Sequence, residues 1–235
     1  MFFFVEIQGF SILGFKYYWV VLEGIMSLLK QLYSNVYQWS EFSNEKKINF
    51  NGYYVSYLGG SVIIDPPFLS DDGINELKNI IKNKPNSSLK AIMLTNVNHD
   101  RMCLKFKEIF NVPVCIHEDD ANALDFQVDH TFCGDNVGFC GFEVIHLPCQ
   151  KSPGECAFYL KGEKKMFIGD ALIGRVPGEL NLLPPEMFSD INLAVKSLKV
   201  LSGYDFDDLL LGDGESIIGN GKKVLERFLL NYPIT

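Results

Sequence analysis

Apolar and polar positions along this chain form short blocks whose period changes from two to nearly four, and these blocks predict most of its elements. Residues 30–38 and the run YYVSYLGGSVIID from 53 read as strands, with Gly59-Gly60 joining two of them as a two-residue hairpin. Asp65-Pro66-Pro67 ends that sheet segment, because proline has no N–H to give to a ladder. Asp71-Asp72 then cap a helix through Asn83. After it the pattern predicts a strand at 90–95, a helix at 102–110, a strand at 113–116 and a short helix from Asp119 or Asp120.

In the second half, FEVIHL (142–147), CAFYL (156–160) and MFIGD (166–170) read as strands, with KGEKK (161–165) as the turn between the last two. A loop carrying Pro177, Pro184 and Pro185 leads into a helix over 187–202. LLLGDG (209–214) is a strand ending in a glycine turn, and VLERFLL closes the chain as a helix. Each half therefore runs strands first and strand–helix units afterwards. Two sheets packed face to face with helices outside satisfy that order, an α/β fold of four αββα layers.

Composition narrows the picture. At 235 residues with 47% hydrophobic and 21% charged residues, the chain can bury a core of ordinary globular size. A net charge of -8 without a basic stripe argues against a nucleic-acid partner. The six cysteines show no CxxC pair and no Cys/His zinc spacing, and four sit in apolar patterns. That usage suits a reducing compartment, so a cytoplasmic location is expected. Residues 1–25 are strongly apolar, yet Glu6, Lys16 and Glu23 interrupt them, so neither a transmembrane segment nor a signal peptide is expected. They read either as a hydrophobic extension packing on the body or a membrane surface, or as sequence upstream of the true start, with the second reading favoured. A single domain is expected over 26–235. The aromatic residues dense in 1–57 leave room for a homodimer or partner surface.

Chemistry should gather where polar turns follow apolar strands: Asp65, the motif LTNVNHDR (94–101), Asp170 and Asp213, with LPCQKSPGE (147–155) as a fifth. In order and spacing these resemble the metallo-β-lactamase fold superfamily of glyoxalase II-like hydrolases, from about residue 30 to the C-terminus. A glycine hairpin ending IIDPP, a strand ending LT before a dense polar motif, a Pro-Gly turn, then GD and GDG carry the resemblance. It implies two zinc ions bound by His-x-His-x-Asp-His, a later His, a bridging Asp and a last His. Those positions fall on Asn96, Asn98, Asp100 and Arg101, then Gln150, Asp170 and Asp213. Every implied histidine is missing, and His99 stands at a spacer position expected to point away from a metal.

Zinc requires at least three imidazole, thiolate or carboxylate ligands, which amides and a guanidinium do not supply. The expectation is therefore a pocket without zinc, in which Arg101, Lys151 and Arg175 pair with the carboxylates that metal ions hold elsewhere. Asn96, Asn98, Gln150, Lys151, Glu155, Asp170, Arg175 and Asp213 would line it and bind a small polar or anionic ligand. Two catalytic alternatives stay open: His99 as general base with Asp100 and Arg101 in support, or an oxygen-ligated magnesium, calcium or manganese ion on Asp100, Asp170 and Asp213. A non-enzymatic interaction scaffold is a further alternative. Asp170 and Asp213 also fit plain turn or cap residues. Asp65 is expected to support its turn, and His117 to mark a strand end near a helix cap.

Overall fold

The computed structural model describes residues 28–57, 59–84, 88–134 and 137–232, together with two short paired strands, Ser11–Ile12 (β1) and Phe15–Lys16 (β2). The remainder of the reading of residues 1–25 lies outside the described residues.

One sheet has seven strands in sequence order: Lys30–Tyr33 (β3), Val36–Ser43 (β4), Ile48–Tyr57 (β5), Gly60–Ile64 (β6), Leu89–Met93 (β7), Val114–His117 (β8) and His130–Phe132 (β9). It is antiparallel as far as β6 and parallel from β6 to β9. The parallel part needs crossovers, supplied by helices Asp71–Asn83 (α1), Cys103–Phe110 (α2) and the single turn Glu118–Ala121 (α3). The other sheet has five strands, Val137–Phe139 (β10), Phe142–His146 (β11), Cys156–Leu160 (β12), Lys165–Ile168 (β13) and Asp208–Leu211 (β14). Only its last pair, β13 with β14, is parallel; helix Ile191–Leu198 (α4) lies in the crossover, and Gly221–Leu230 (α5) follows β14.

Alternation along the strands sorts the core into three apolar layers. Val62 and Ile64 of β6 face Phe158, Phe167 and Leu210 between the sheets. Ile63 of the same strand faces the other way, with Leu77 of α1 and Phe106 of α2. Ile145, Met166 and Leu209 pack on the far face of the second sheet against Val195 of α4 and Leu225 of α5. Each such side chain contributes about 1.5–3 kcal/mol relative to exposure. The layers are αββα, as the order of elements implied.

Several local readings change. Residues 30–38 are not one strand: the chain turns at Ser34-Asn35, where Asn35 Nδ2 donates to the Ser56 carbonyl, and β4 then runs to Ser43. Ser70, one residue before the aspartates, caps α1 by accepting from the Gly73 N–H, while Asp71 and Asp72 occupy the first turn. The predicted helix 187–202 is α only over Ile191–Leu198, capped by Asp190, and continues as a 3-10 turn. Strands β9 and β10 carry three residues each, too few for a pattern to show.

The two sheets meet at one edge. There Asn51 N–H donates to the Gly212 carbonyl at 2.7 Å and Gly214 N–H to the Asn49 carbonyl at 2.8 Å. The Asn51 side-chain amide donates to the carbonyls of Leu211 and Gly214, and Cys156 N–H donates to the Thr95 carbonyl. With Asp65 N–H on the Met93 carbonyl and Gly212 N–H on the Ile168 carbonyl, they bring the ends of β6, β7, β13 and β14 together.

Candidate functional site

Each of those four strands ends in a polar turn, so Asp65, Thr95–Arg101, Gly169-Asp170 and Gly212-Asp213 come together at the junction of the sheets. The two glycines permit the approach. A Cβ on Gly169 would lie 2.6 Å from Asn96 Nδ2 and 2.8 Å from Glu155 Oε1, and one on Gly212 would lie 2.6 Å from His99 Cε1.

The motif loop is set by its own first residue. Asn96 Oδ1 accepts from the Asn98 N–H at 2.8 Å and caps a one-turn 3-10 helix, Val97–His99. That turn swings His99 into the protein, where it is 1% exposed, and leaves Asn98 exposed. His99 Nδ1 lies 2.8 Å from Asp65 Oδ2, and Asp65 also accepts from Thr95 N–H and Thr95 Oγ1. Nε2 faces Asp170 Oδ1 at 3.4 Å and Asp213 Oδ1 at 3.8 Å. The expectation that His99 points away from the centre is thus corrected: a turn of three residues and a carboxylate 34 positions away, not the motif spacing, set its direction.

Two further cations close the cluster. Lys151 Nζ lies 2.8 Å from Asp170 Oδ2, and Arg101 Nη2 donates to Asp213 Oδ1 at 2.8 Å. Arg101 also lies over the Phe50 ring, 4.3 Å from its centroid. Three carboxylates, Asp65, Asp170 and Asp213, therefore face three basic side chains, His99, Lys151 and Arg101. Glu155 lies beneath them, fully buried, its Oε1 accepting from the N–H groups of Asp170 and Ala171.

Charge states follow from these contacts. Burial and the Arg101 guanidinium disfavour a charged His99, but Asp65 and Asp170 outweigh them and raise its pKa from the ordinary 6.5 to about 10. Burial alone would raise Asp170, but the His99 and Lys151 charges and hydrogen bonds hold it well below the usual carboxylate range. Burial, then the Asp170 charge, push the Glu155 carboxyl well above its ordinary value. An imidazole so held is favoured in its protonated, donating form at neutral pH, the opposite of what a general base needs. It also has a stability consequence. His99 binds its proton more tightly folded than unfolded, so its contribution is complete below 6.5 and is lost as pH rises to about 10. The gap in melting temperature between the native chain and His99→Gln should narrow across that interval in a thermal-denaturation series.

The remaining expected residues lie elsewhere. Asp100 is half-buried, and its Oδ1 accepts from the Arg101 N–H; the group of ligand-type atoms within 4.8 Å of one another is His99, Asp170 and Asp213, without Asp100. Gln150 is buried but turned to α4, donating from Nε2 to the Ala194 carbonyl and Ser197 Oγ. Arg175 is exposed, and its Nη1 donates to the Lys46 carbonyl at 3.5 Å. Sequence reading missed four residues that build the site: Asp65 as the partner of His99, Thr95 beside it, Asn51 at the seam, and Asp120. The buried Asp120 carboxylate accepts from Val97 N–H at 2.9 Å, from Gly154 N–H at 2.8 Å and from Ser152 Oγ, tying the motif loop to the loop that carries Lys151. The run EDD in a predicted cap was the available sign.

Two facing mixed sheets between helices, with polar strand ends gathered at their seam, define the αββα class of hydrolase folds. The chain belongs to the metallo-beta-lactamase superfamily, whose profile matches residues 28–231. The DIM-1 metallo-beta-lactamase superposes with a TM-score of 0.67 at 18% identity, covering 85% of this chain and 96% of that one. The metallo-beta-lactamase from Pontibacter korlensis gives 0.65 at 20% identity, covering 86% and 98%. That from Hirschia baltica gives 0.66 at 13%, covering 88% and 98%. No curated protein sequence matches the chain. Among the described residues, no helix is long and apolar enough to cross a membrane.

Proposed function

We propose that this chain is a metallo-β-lactamase-fold protein whose centre is held by side-chain cations instead of two zinc ions, so that it lacks zinc-dependent hydrolysis and binds a small polar ligand. The observation that carries the reading is the pair of contacts Arg101–Asp213 and Lys151–Asp170, each 2.8 Å, on two of the three carboxylates that coincide with the family's ligand positions.

The donor set does not fit a two-zinc centre. Asn96 gives its oxygen to Asn98, Asn98 is exposed, Gln150 is bonded to α4, and Arg101 brings a permanent positive charge to Asp213. What remains is an ion-pair network built from the protein's own side chains. We place the ligand in a cavity of about 390 Å³ that begins one residue after Asp213 and is lined by Gln38, Asn49, Asn51 and Ser216, although none of the residues expected to line the pocket borders it.

One observation favours a second reading. His99 Nε2 is buried without a hydrogen-bond partner among the described residues, and with Asp170 and Asp213 it could hold a single divalent ion. Elemental analysis of the purified chain, beside its Asp170→Asn variant, separates the two. The proposal expects no metal whose retention depends on Asp170, and a melting temperature indifferent to chelator. Stoichiometric metal lost on Asp170→Asn would establish the second reading.

A further inference from the structure

Away from this centre, at the end of β8, lies a second group of potential ligands. His117 is 2% exposed and closes the strand; its Nδ1 accepts from the Asp119 N–H at 3.3 Å. The His117 ring stacks on His146 of β11, with centroids 4.2 Å apart and planes 13° apart. Asp119 Oδ2 sits 3.6 Å from His117 Nδ1 and 4.0 Å from His146 Nε2. These separations are too long for hydrogen bonds, yet an ion about 2.0–2.2 Å from each atom spans them once the two stacked rings tilt so that both in-plane lone pairs meet it. One ligand atom from each of the three residues falls within 4.8 Å of the others.

We infer that His117, Asp119 and His146 form a binding site for a borderline divalent transition-metal ion, zinc or cobalt(II), separate from the centre described above. Two imidazoles and a carboxylate are the donor set such ions prefer, whereas magnesium and calcium call for oxygen alone. The site is reachable: the Asp119 side chain is 51% exposed, and His146 borders a cavity of about 400 Å³ that Cys149 also lines. Water completes the coordination on that open side. Binding has two local competitors: His117 Nδ1 must release the Asp119 N–H, a long contact of 3.3 Å, and His146 Nε2 lies 2.8 Å from the Pro153 carbonyl and donates to it in the metal-free form. The ion takes that nitrogen once the proton moves to Nδ1, and the Pro153 carbonyl is released.

That exchange falls at a joint of the protein. Pro153 precedes Gly154, whose N–H is held by Asp120, and the same carboxylate holds Val97 of the motif loop. An ion at His146 therefore loosens the strap on one side of the loop that carries Lys151 and Glu155.

The test uses the full chain, stripped with chelator and dialysed against zinc, with cobalt(II) absorption as an independent readout of nitrogen–oxygen coordination. The inference expects one ion per chain, with affinity reduced at least about tenfold in each of His146→Ala and Asp119→Ala and unchanged in Asp170→Asn. Both substituted side chains lie outside the apolar clusters, so circular dichroism should show folded variants. Absence of binding, or binding indifferent to both substitutions, overturns the site. An ion lost only on Asp170→Asn overturns it too, and moves the metal to the central cluster instead.

Discussion

Replacing Arg101 by methionine should lower the melting temperature by roughly 6–20 °C, the equivalent of about 3–5 kcal/mol for a buried pair deprived of one partner in a chain of this size. The loss arises less from the vanished ion pair than from the carboxylate left behind. Asp213 is 6% exposed and would face Asp170 across the cluster with only His99 between them. The distinguishing companion is Arg101→Met with Asp213→Asn. Removing both charges should recover most of the stability, because the uncompensated group is then gone. A centre organised around a metal behaves in the opposite sense: removing Arg101 would relieve repulsion, and added divalent ion would stabilise the variant. Thermal denaturation of the single and double variants, with and without divalent cations, reads the difference directly.

The second large effect comes from a single methyl group. Gly169→Ala places a Cβ against Thr95 Oγ1, 2.6 Å from Asn96 Nδ2 and 2.8 Å from Glu155 Oε1. None of these neighbours can yield freely, since Thr95 is bonded to Asp65, Asn96 caps the motif turn and Glu155 holds the backbone of Asp170. A cost of about 1–3 kcal/mol is expected from overpacking alone. Displacement of Asp170 from Lys151 should add to it, so the variant should melt well below the native chain in calorimetry. An alanine at Gly138, where a Cβ meets nothing within 4 Å, is the matched control and should change the melting temperature little.

How much of this could be read in the sequence depended on how local each cause is. Short apolar runs bounded by turn residues marked β6, β7, β12 and β13, and Pro66-Pro67 stopped β6, because burial on two faces and missing N–H groups act within a few residues. Asp170 and Asp213 were legible for the same reason: a glycine followed by an aspartate at the end of an apolar strand states its geometry in two letters. The direction of His99 was not legible. Whether a residue in a one-turn 3-10 helix faces inward depends on the cap provided by Asn96 and on Asp65, which the fold brings from the preceding strand. Gln150 and Arg175 failed for a related reason. Gln150 finds α4 44 residues later, and Arg175 follows a Gly174 backbone pressed against Glu215, so both leave the cluster their neighbours enter. Fold-family spacing located the loops correctly, and long-range partners then decided which side chain in each loop reached the centre.

The protonation state of the His99 ring offers the most direct measurement, by nitrogen-15 NMR of the imidazole at neutral pH. With side-chain cations holding the centre, both ring nitrogens should carry protons, Nδ1 directed to Asp65 and Nε2 to Asp170, and added chelator should leave the two resonances in place. An unprotonated Nε2 whose resonance moves when divalent ions are removed would contradict a centre closed by Arg101, Lys151 and His99.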